Sequence, residues 1–214
     1  FLDWFTCNKL PKVGRINLTY ALTQNGTTRT EYTIVRNGEN NYYLVSAGAW
    51  SEYDADFLRK AAEDKMGEFG YVEIQDVTTQ WGVFAIAGPK SRDVLKAVIK
   101  DADPETALSN KRFPWLSARA IELGMCPVNA IRVAYTGELG WELYVPTEFA
   151  THVYDVLVHK GQEHGMRHAG FHAMDSLRVE KGYRAWGSDL TDQDTPVEAG
   201  LRFAVAFEKA VEFN

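Results

Sequence analysis

The sequence is short of several things, and each shortage removes a class of function. Cysteine occurs twice, at Cys7 and Cys126, far apart and in no metal-binding or redox spacing. A disulfide framework and a thiolate metal centre therefore lack material, and two free thiols in a reducing compartment are expected. No apolar run approaches the ~20 residues of a membrane-spanning helix, and no basic, apolar and cleavage-site regions make a signal peptide. No Lys/Arg cluster offsets the net charge of -6, which argues against a nucleic-acid surface. The patterns GxSxG, GxGxxG and the Walker loop are absent, removing support for acyl transfer, a dinucleotide site and nucleotide phosphate binding. HExxH is missing too. His152, His159, His164 and His168 come with no carboxylate or cysteine ligand set and read as surface residues. Asp189, Asp192 and Asp194 lack the glycine and glutamate of a calcium loop and read as turn and cap acids. No metal site is expected.

What remains is ordinary for a soluble globular protein: 214 residues, 45% hydrophobic and 24% charged. That length suits one large domain or two small ones. The start at Phe1, without an initiator methionine, and the end at Val211-Glu212-Phe213-Asn214 are expected of a piece of a longer polypeptide.

Alternation predicts strands over residues 15–21 and 28–35, turning at Gln24-Asn25-Gly26, and a short one over 42–45. Ser51 is expected to cap a helix reaching about Met66, with Phe57, Leu58, Ala61 and Ala62 on one face. Residues 71–77 and 83–87 read as strands, and Gly88-Pro89 opens a helix over 91–99. The polar, proline-bearing stretch 101–118 reads as a linker between subdomains at 1–100 and 119–214. In the second half, Thr147 is expected to cap a helix to about Lys160; another helix follows over 170–181, and a last strand over 202–207. The order implies an α+β protein with mixed or antiparallel sheets.

Two carboxylates stand out. Residues 134–146 read AYTGELGWELYVP, an extended segment interrupted by two glycines around Glu138. Glycine enters unusual backbone regions cheaply, so the local reading is a hairpin with Glu138 at its tip. A hairpin needs no carboxylate there; Glu138 is either a binding group or a solvated turn residue. Glu31 interrupts the strand-like 28–35, on the face of Thr33 and Val35 and opposite Tyr32 and Ile34. An ordinary exposed strand glutamate has the same pattern.

Five segments resemble one family. They are Pro11–Ile16, Ile86–Arg92, Tyr135–Glu142, Met174–Arg184 and Thr195–Leu201, in family order along essentially the whole chain. The chain resembles the tetrahydrofolate-binding aminomethyltransferase (glycine-cleavage T-protein) family. Within it, the wording EKGYRAWG at 180–187 most resembles the C-terminal folate module of dimethylglycine and sarcosine dehydrogenases. The resemblance implies the aminomethyltransferase folate-binding fold, with two sheet-plus-helix subdomains and a downstream β-barrel that this chain does not contain.

It also implies site residues. The hairpin glutamate matching Glu138 binds the pterin, where two acceptor oxygens meet adjacent N–H donors on the ring edge. Tyr135 supports that site by stacking or a hydroxyl contact. The family's aspartate acting at the folate's reacting nitrogens falls on Glu31, one methylene longer. An asparagine contact falls on Ser46 and a late tryptophan on Phe203; an arginine for the glutamyl tail falls on Met174, removing that charge. The expected activity is capture of a one-carbon unit, from an oxidised N-methyl amine, as 5,10-methylenetetrahydrofolate. FAD would belong only to a fused upstream region. The expected compartment is cytoplasmic, or the mitochondrial matrix in a eukaryote. A stand-alone aminomethyltransferase or demethylase, and a folate-binding module without catalysis, are the alternatives.

Overall fold

The computed structural model describes residues 1–209 and Phe213; the chain end at Val211 and Glu212 lies outside them. Contacts divide the chain into two units: residues 1–76 with 184–214, and residues 77–183. This differs from the expected boundary at 101–118. Residues 81–87 are committed to the second unit because their backbone pairs with the strand at 140–146. The stretch read as a linker carries Ala107, Leu108 and Phe113, all buried, and so belongs to a core.

The first unit opens with a single helical turn, α1 (Leu2–Phe5), followed by strands β1 (Ile16–Leu22), β2 (Thr28–Arg36) and β3 (Tyr42–Val45). They form an antiparallel sheet in the order β1-β2-β3. Alternation on β2 buries Thr28, Thr30, Tyr32 and Ile34. Tyr32 and Ile34 pack with Phe5 and Ala21 beneath Phe57, Leu58 and Ala61 of α2 (Ser51–Asp64). A further turn, α3 (Met66–Phe69), follows. Ser51 is the first helical residue, and no side chain caps this helix. Opposite Tyr32, the sheet presents Leu18, Tyr20 and Leu22, which the returning C-terminal segment covers with Leu190, Leu201 and Ala204. That segment is tied down by the Thr28 N–H donating to the Asp194 carbonyl and the Ala206 N–H donating to the Cys7 carbonyl.

Two expected strands here are corrected. Residues 71–77 have strand composition but join no β-ladder among the described residues, and Tyr71 is exposed. A β-strand exists only through its ladder, which composition does not supply. Residues 202–207 instead start with a 3-10 turn over Arg202–Ala204, again without a partner strand.

The second unit contains β4 (Trp81–Ala87), α4 (Ser91–Lys96), α5 (Pro104–Ala107), β5 (Ala118–Leu123), β6 (Cys126–Ile131), β7 (Gly140–Pro146), α6 (Ala150–Glu163) and α7 (Phe171–Glu180). Its sheet is antiparallel, ordered β4-β7-β6-β5. Trp141, Leu143 and Val145 of β7 point to the core, with Val128 and Ala130 of β6, Val94 and Leu95 of α4, and Val153 and Leu157 of α6. Each valine or leucine among them contributes about 1.5–3 kcal/mol on burial. Thr147 does not cap α6; its hydroxyl donates to the Thr79 carbonyl, and a 3-10 turn over Thr147–Phe149 precedes the helix.

Candidate functional site

The interruption in AYTGELGWELYVP has two causes, one for each glycine. Gly137 has φ +70, a left-handed conformation that a side chain would strain. Gly140 is needed for space: a methyl there would sit 2.7 Å from the Ile86 carbonyl oxygen and 2.8 Å from Cβ of Ala134. The hairpin joins β6 to β7 with Ile131 opposite Glu142, so the connecting loop runs over 132–139. The Leu139 carbonyl accepts from the Gly88 N–H at 2.8 Å and from the Ser91 hydroxyl at 3.0 Å, which anchors the loop to the β4–α4 turn.

Glu138 sits in this loop with its side chain 42% exposed, 3.7 Å from the Lys181 ammonium. Tyr135 is partly exposed and stacks on Tyr183 with ring centroids 6.3 Å apart. Both rings belong to the same unit as Glu138. Arg178 fixes the neighbouring turn: its Nη1 donates to the Tyr183 carbonyl at 2.9 Å, and its Nη2 pairs with Asp175 at 2.6 Å.

A second carboxylate of the motif lies in a different environment. Strand alternation places Glu142 with Gly140 and Tyr144 on the face opposite Trp141, Leu143 and Val145. In register, Glu142 faces Ala85 of β4 and Ile131 of β6, while Gly140 faces Ala87. Burial pushes its carboxyl above the ordinary glutamate range, opposed by the Tyr144 hydroxyl. That hydroxyl donates to Oε2 at 2.9 Å. An ionised carboxylate offers about four lone-pair sites, of which this tyrosine fills one. Of the neighbours of Glu142 on β4, Ala85 and Ala87 are small and exposed, while Ala134 closes over Gly140. From the sequence, Glu142 reads as a neighbouring carboxylate outside the motif position and a control for Glu138, although the alternation in Trp141–Val145 carries the signal.

In the first unit, Glu31 occupies the β2 position directly opposite Tyr20 of β1. The Tyr20 hydroxyl donates to Glu31 Oε2 at 2.7 Å. Burial raises this carboxyl above its ordinary range, and the tyrosine works against that rise. A carboxylate easier to protonate than usual, in a desolvated place, suits proton exchange with a bound substrate.

Ser46 follows β3 and is bound up with Asp54 rather than Glu31. Asp54 is buried and accepts from the Thr30 hydroxyl at 2.6 Å. Burial raises its carboxyl, and the Thr30 and Ser46 hydroxyls oppose that. Thr30 and Glu31 are adjacent on a strand, so their side chains leave opposite faces. Phe203, on the 3-10 turn, is 71% exposed, while Leu201 and Ala204 beside it join the cluster around Tyr20. The acids at 189 and 194 serve turns: Asp189 accepts from the Ala185 N–H, and Asp194 accepts from the Thr191 N–H and hydroxyl. Among the described residues no cluster of three metal-ligating side chains occurs, and no helix is long and apolar enough to cross a membrane.

A family model described as the GCVT N-terminal domain matches residues 1–209. Human mitochondrial dimethylglycine dehydrogenase is 35% identical over 213 residues, covering 99% of this chain and 24% of that protein. An aminomethyltransferase of Thermoanaerobacter sp. (strain X514) is 31% identical over 212 residues, covering 98% of this chain and 54% of that one. Among solved structures, glycine cleavage system aminomethyltransferase T from Bartonella henselae aligns with a TM-score of 0.75 over 96% of this chain and 52% of that chain. At 24% identity that likeness speaks for the fold. The chain spans about a quarter of the length of the mitochondrial dehydrogenases that it matches.

Proposed function

The chain belongs to the GCVT N-terminal domain family, and from that membership we infer that it is a tetrahydrofolate-dependent one-carbon transfer module of a dimethylglycine- or sarcosine-dehydrogenase-like flavoenzyme. The 35% identity with a dimethylglycine dehydrogenase over 99% of the chain supports this branch. A stand-alone aminomethyltransferase is the other reading, supported by the 31% identity with such a protein.

Oxidation of the N-methyl amine belongs to a flavin-bearing region outside this chain. Tetrahydrofolate supplies the nucleophilic nitrogens that take up the carbon as a methylene group. This chain's residues bind and orient that substrate and move its protons. Glu31 is the proton acceptor, working from its desolvated place beside Tyr20. Ser46 and Phe203 are lesser folate contacts, and Tyr135 supports the pterin end.

The pterin carboxylate has two candidates in the second unit. The family motif favours Glu138; the environment favours Glu142. Glu138 already lies beside an ammonium and is open to water, so a ligand gains little by replacing those partners. Glu142 is partly buried between Ala85 and Ile131 and is held by a neutral hydroxyl, where hydrogen bonds to a ring edge count for more. The Tyr144–Glu142 hydrogen bond on this half-buried strand face is the observation that carries this assignment.

Calorimetric titration of the full-length protein with tetrahydrofolate tests it. Glu142→Ala is expected to weaken binding by roughly a hundredfold or more, because two charge-assisted hydrogen bonds of about 1.5–3 kcal/mol each are lost. Glu138→Ala is expected to change affinity only a few-fold. The reverse order would return the role to Glu138; equal affinity in wild type and both variants would remove it from this turn altogether. Melting curves for each variant exclude a loss through unfolding.

A further inference from the structure

We propose that Tyr20 is a positioning residue for Glu31, its buried phenol pinning the carboxylate to one rotamer on its own face of the sheet. The inference rests on the reading of Glu31 as the proton acceptor. Glutamate has three side-chain torsions, and an untethered carboxylate on a strand samples many rotamers. Tyr20 is fully buried, with its ring set among Cys7, Leu22, Leu190, Leu201 and Ala204. It lies directly opposite Glu31 in the β1–β2 register, so its hydroxyl meets Oε2 at 2.7 Å from a ring that the core holds still. A donor fixed in this way selects the acceptor's position and favours its ionised form.

The surrounding groups leave Tyr20 as the partner that matters. The same cluster holds the Cys7 thiol, which burial raises and Lys209 lowers. On the opposite face, the Tyr32 hydroxyl donates to the Asp54 backbone carbonyl at 3.3 Å, and the Asp54 carboxylate bonds Thr30. Tyr32 is therefore a matched control: a buried tyrosine next to Glu31 in sequence whose hydroxyl serves another group.

The test uses Tyr20→Phe, Tyr32→Phe and Glu31→Gln in the full-length protein. It reads single-turnover methylenetetrahydrofolate formation against pH, tetrahydrofolate affinity, melting temperature, and the Glu31 carboxyl band by infrared difference spectroscopy against Glu31→Gln. Tyr20→Phe removes one hydroxyl and keeps the ring. It is expected to move the acid limb of the rate and the Glu31 titration together to higher pH. The rate on that limb should fall about tenfold, the value of one hydrogen bond to a charged group, with affinity unchanged. Tyr32→Phe should leave both titrations in place. An unchanged Glu31 titration in Tyr20→Phe overturns the proposal, as does a loss of rate that is equal in the two tyrosine variants and independent of pH. If Glu31→Gln reacts at the wild-type rate, the reading of Glu31 fails instead, while the infrared titration still decides whether Tyr20 positions it.

Discussion

In the first unit the tyrosine that serves Glu31 comes from a different strand, eleven residues away; in the second, Tyr144 lies two residues beyond Glu142 on the same strand. The chemistry of the two pairs is alike: a desolvated glutamate and one phenolic donor. Their dependence on the fold is not. A one-residue slip of β1 against β2 would turn Tyr20 to the other face and leave Glu31 without its donor. No slip of β7 against its neighbours parts Tyr144 from Glu142, because extended backbone alone puts residues two apart on one face. The pair assigned to proton transfer thus exists only in the finished sheet, whereas the pair assigned to recognition is a property of a single strand. Position matters more for a group that must meet a reacting atom than for one that grips a ring edge.

The largest expected effect separates those two duties. Glu31→Gln should slow methylenetetrahydrofolate formation by about 10²–10⁴-fold, the usual range for a lost general base, with folate affinity nearly intact. A single-turnover assay beside a binding titration measures both; a loss of affinity without a loss of rate would merge the two sites' roles and end the comparison.

A smaller effect concerns how β7 begins. Gly140→Ala places a methyl against the Ile86 carbonyl, so the β4–β7 pairing must give way locally. A destabilisation of about 1–3 kcal/mol is expected in denaturant unfolding, as for other overpacked sites. The infrared titration of Glu142 should stay near that of wild type, since its tyrosine is on the same strand. A large change in that titration would show that the second pair also leans on its neighbours.

The smallest effect is on stability against pH. Both glutamates have raised proton affinity in the folded state, with burial as the first cause. A raised carboxyl binds its proton more readily folded than unfolded. Its contribution is therefore fully present at acid pH, below the unfolded value, and is lost as pH rises through the folded value. Glu31→Gln and Glu142→Gln should each raise the melting temperature at neutral pH, by about 2–4 °C if roughly 1 kcal/mol is recovered. The gain should shrink as the buffer is made acidic. A gain in Glu138→Gln of the same size would remove the contrast between buried and exposed carboxylates.

Much of this could be read from the chain before any coordinates. Where polar and apolar residues alternate, as in Thr28–Val35 and Trp141–Val145, the strands lie where periodicity puts them, within a residue or two. Period two failed where pairing, rather than composition, decides. Residues 71–77 and 202–207 have the composition but join no ladder among the described residues, while β5, with two alanines and only one β-branched residue, has a partner strand and weak composition. The boundary of the units was illegible for a similar reason: nothing local in Trp81–Ala87 says that its partner is sixty residues downstream. At the candidate site, the motif drew attention to Glu138 because two glycines frame it. The quieter evidence was that Glu142 and Tyr144 share a face, which becomes informative once Trp141 and Leu143 are known to be core.

The first unit is assembled from both ends of the chain, and this sets a timetable for synthesis. Residues 77–183 leave the ribosome as one contiguous stretch, with every strand of their sheet available before Tyr183 is made. The first unit must wait. Its sheet can pair early, but the face bearing Tyr20 and Leu22 has no cover until Leu190, Leu201 and Ala204 emerge. A late fastening comes with Lys209, whose ammonium donates to the carbonyls of Asp3, Thr6 and Asn8 some two hundred residues earlier. Closing so long a loop adds only slowly to the entropic cost, but it delays the rewarding contacts until the segment after residue 184 has been made. The nascent chain therefore carries an open apolar sheet face while the whole of the second unit is made, and the carboxylate assigned to chemistry gains its settled surroundings after that unit is complete.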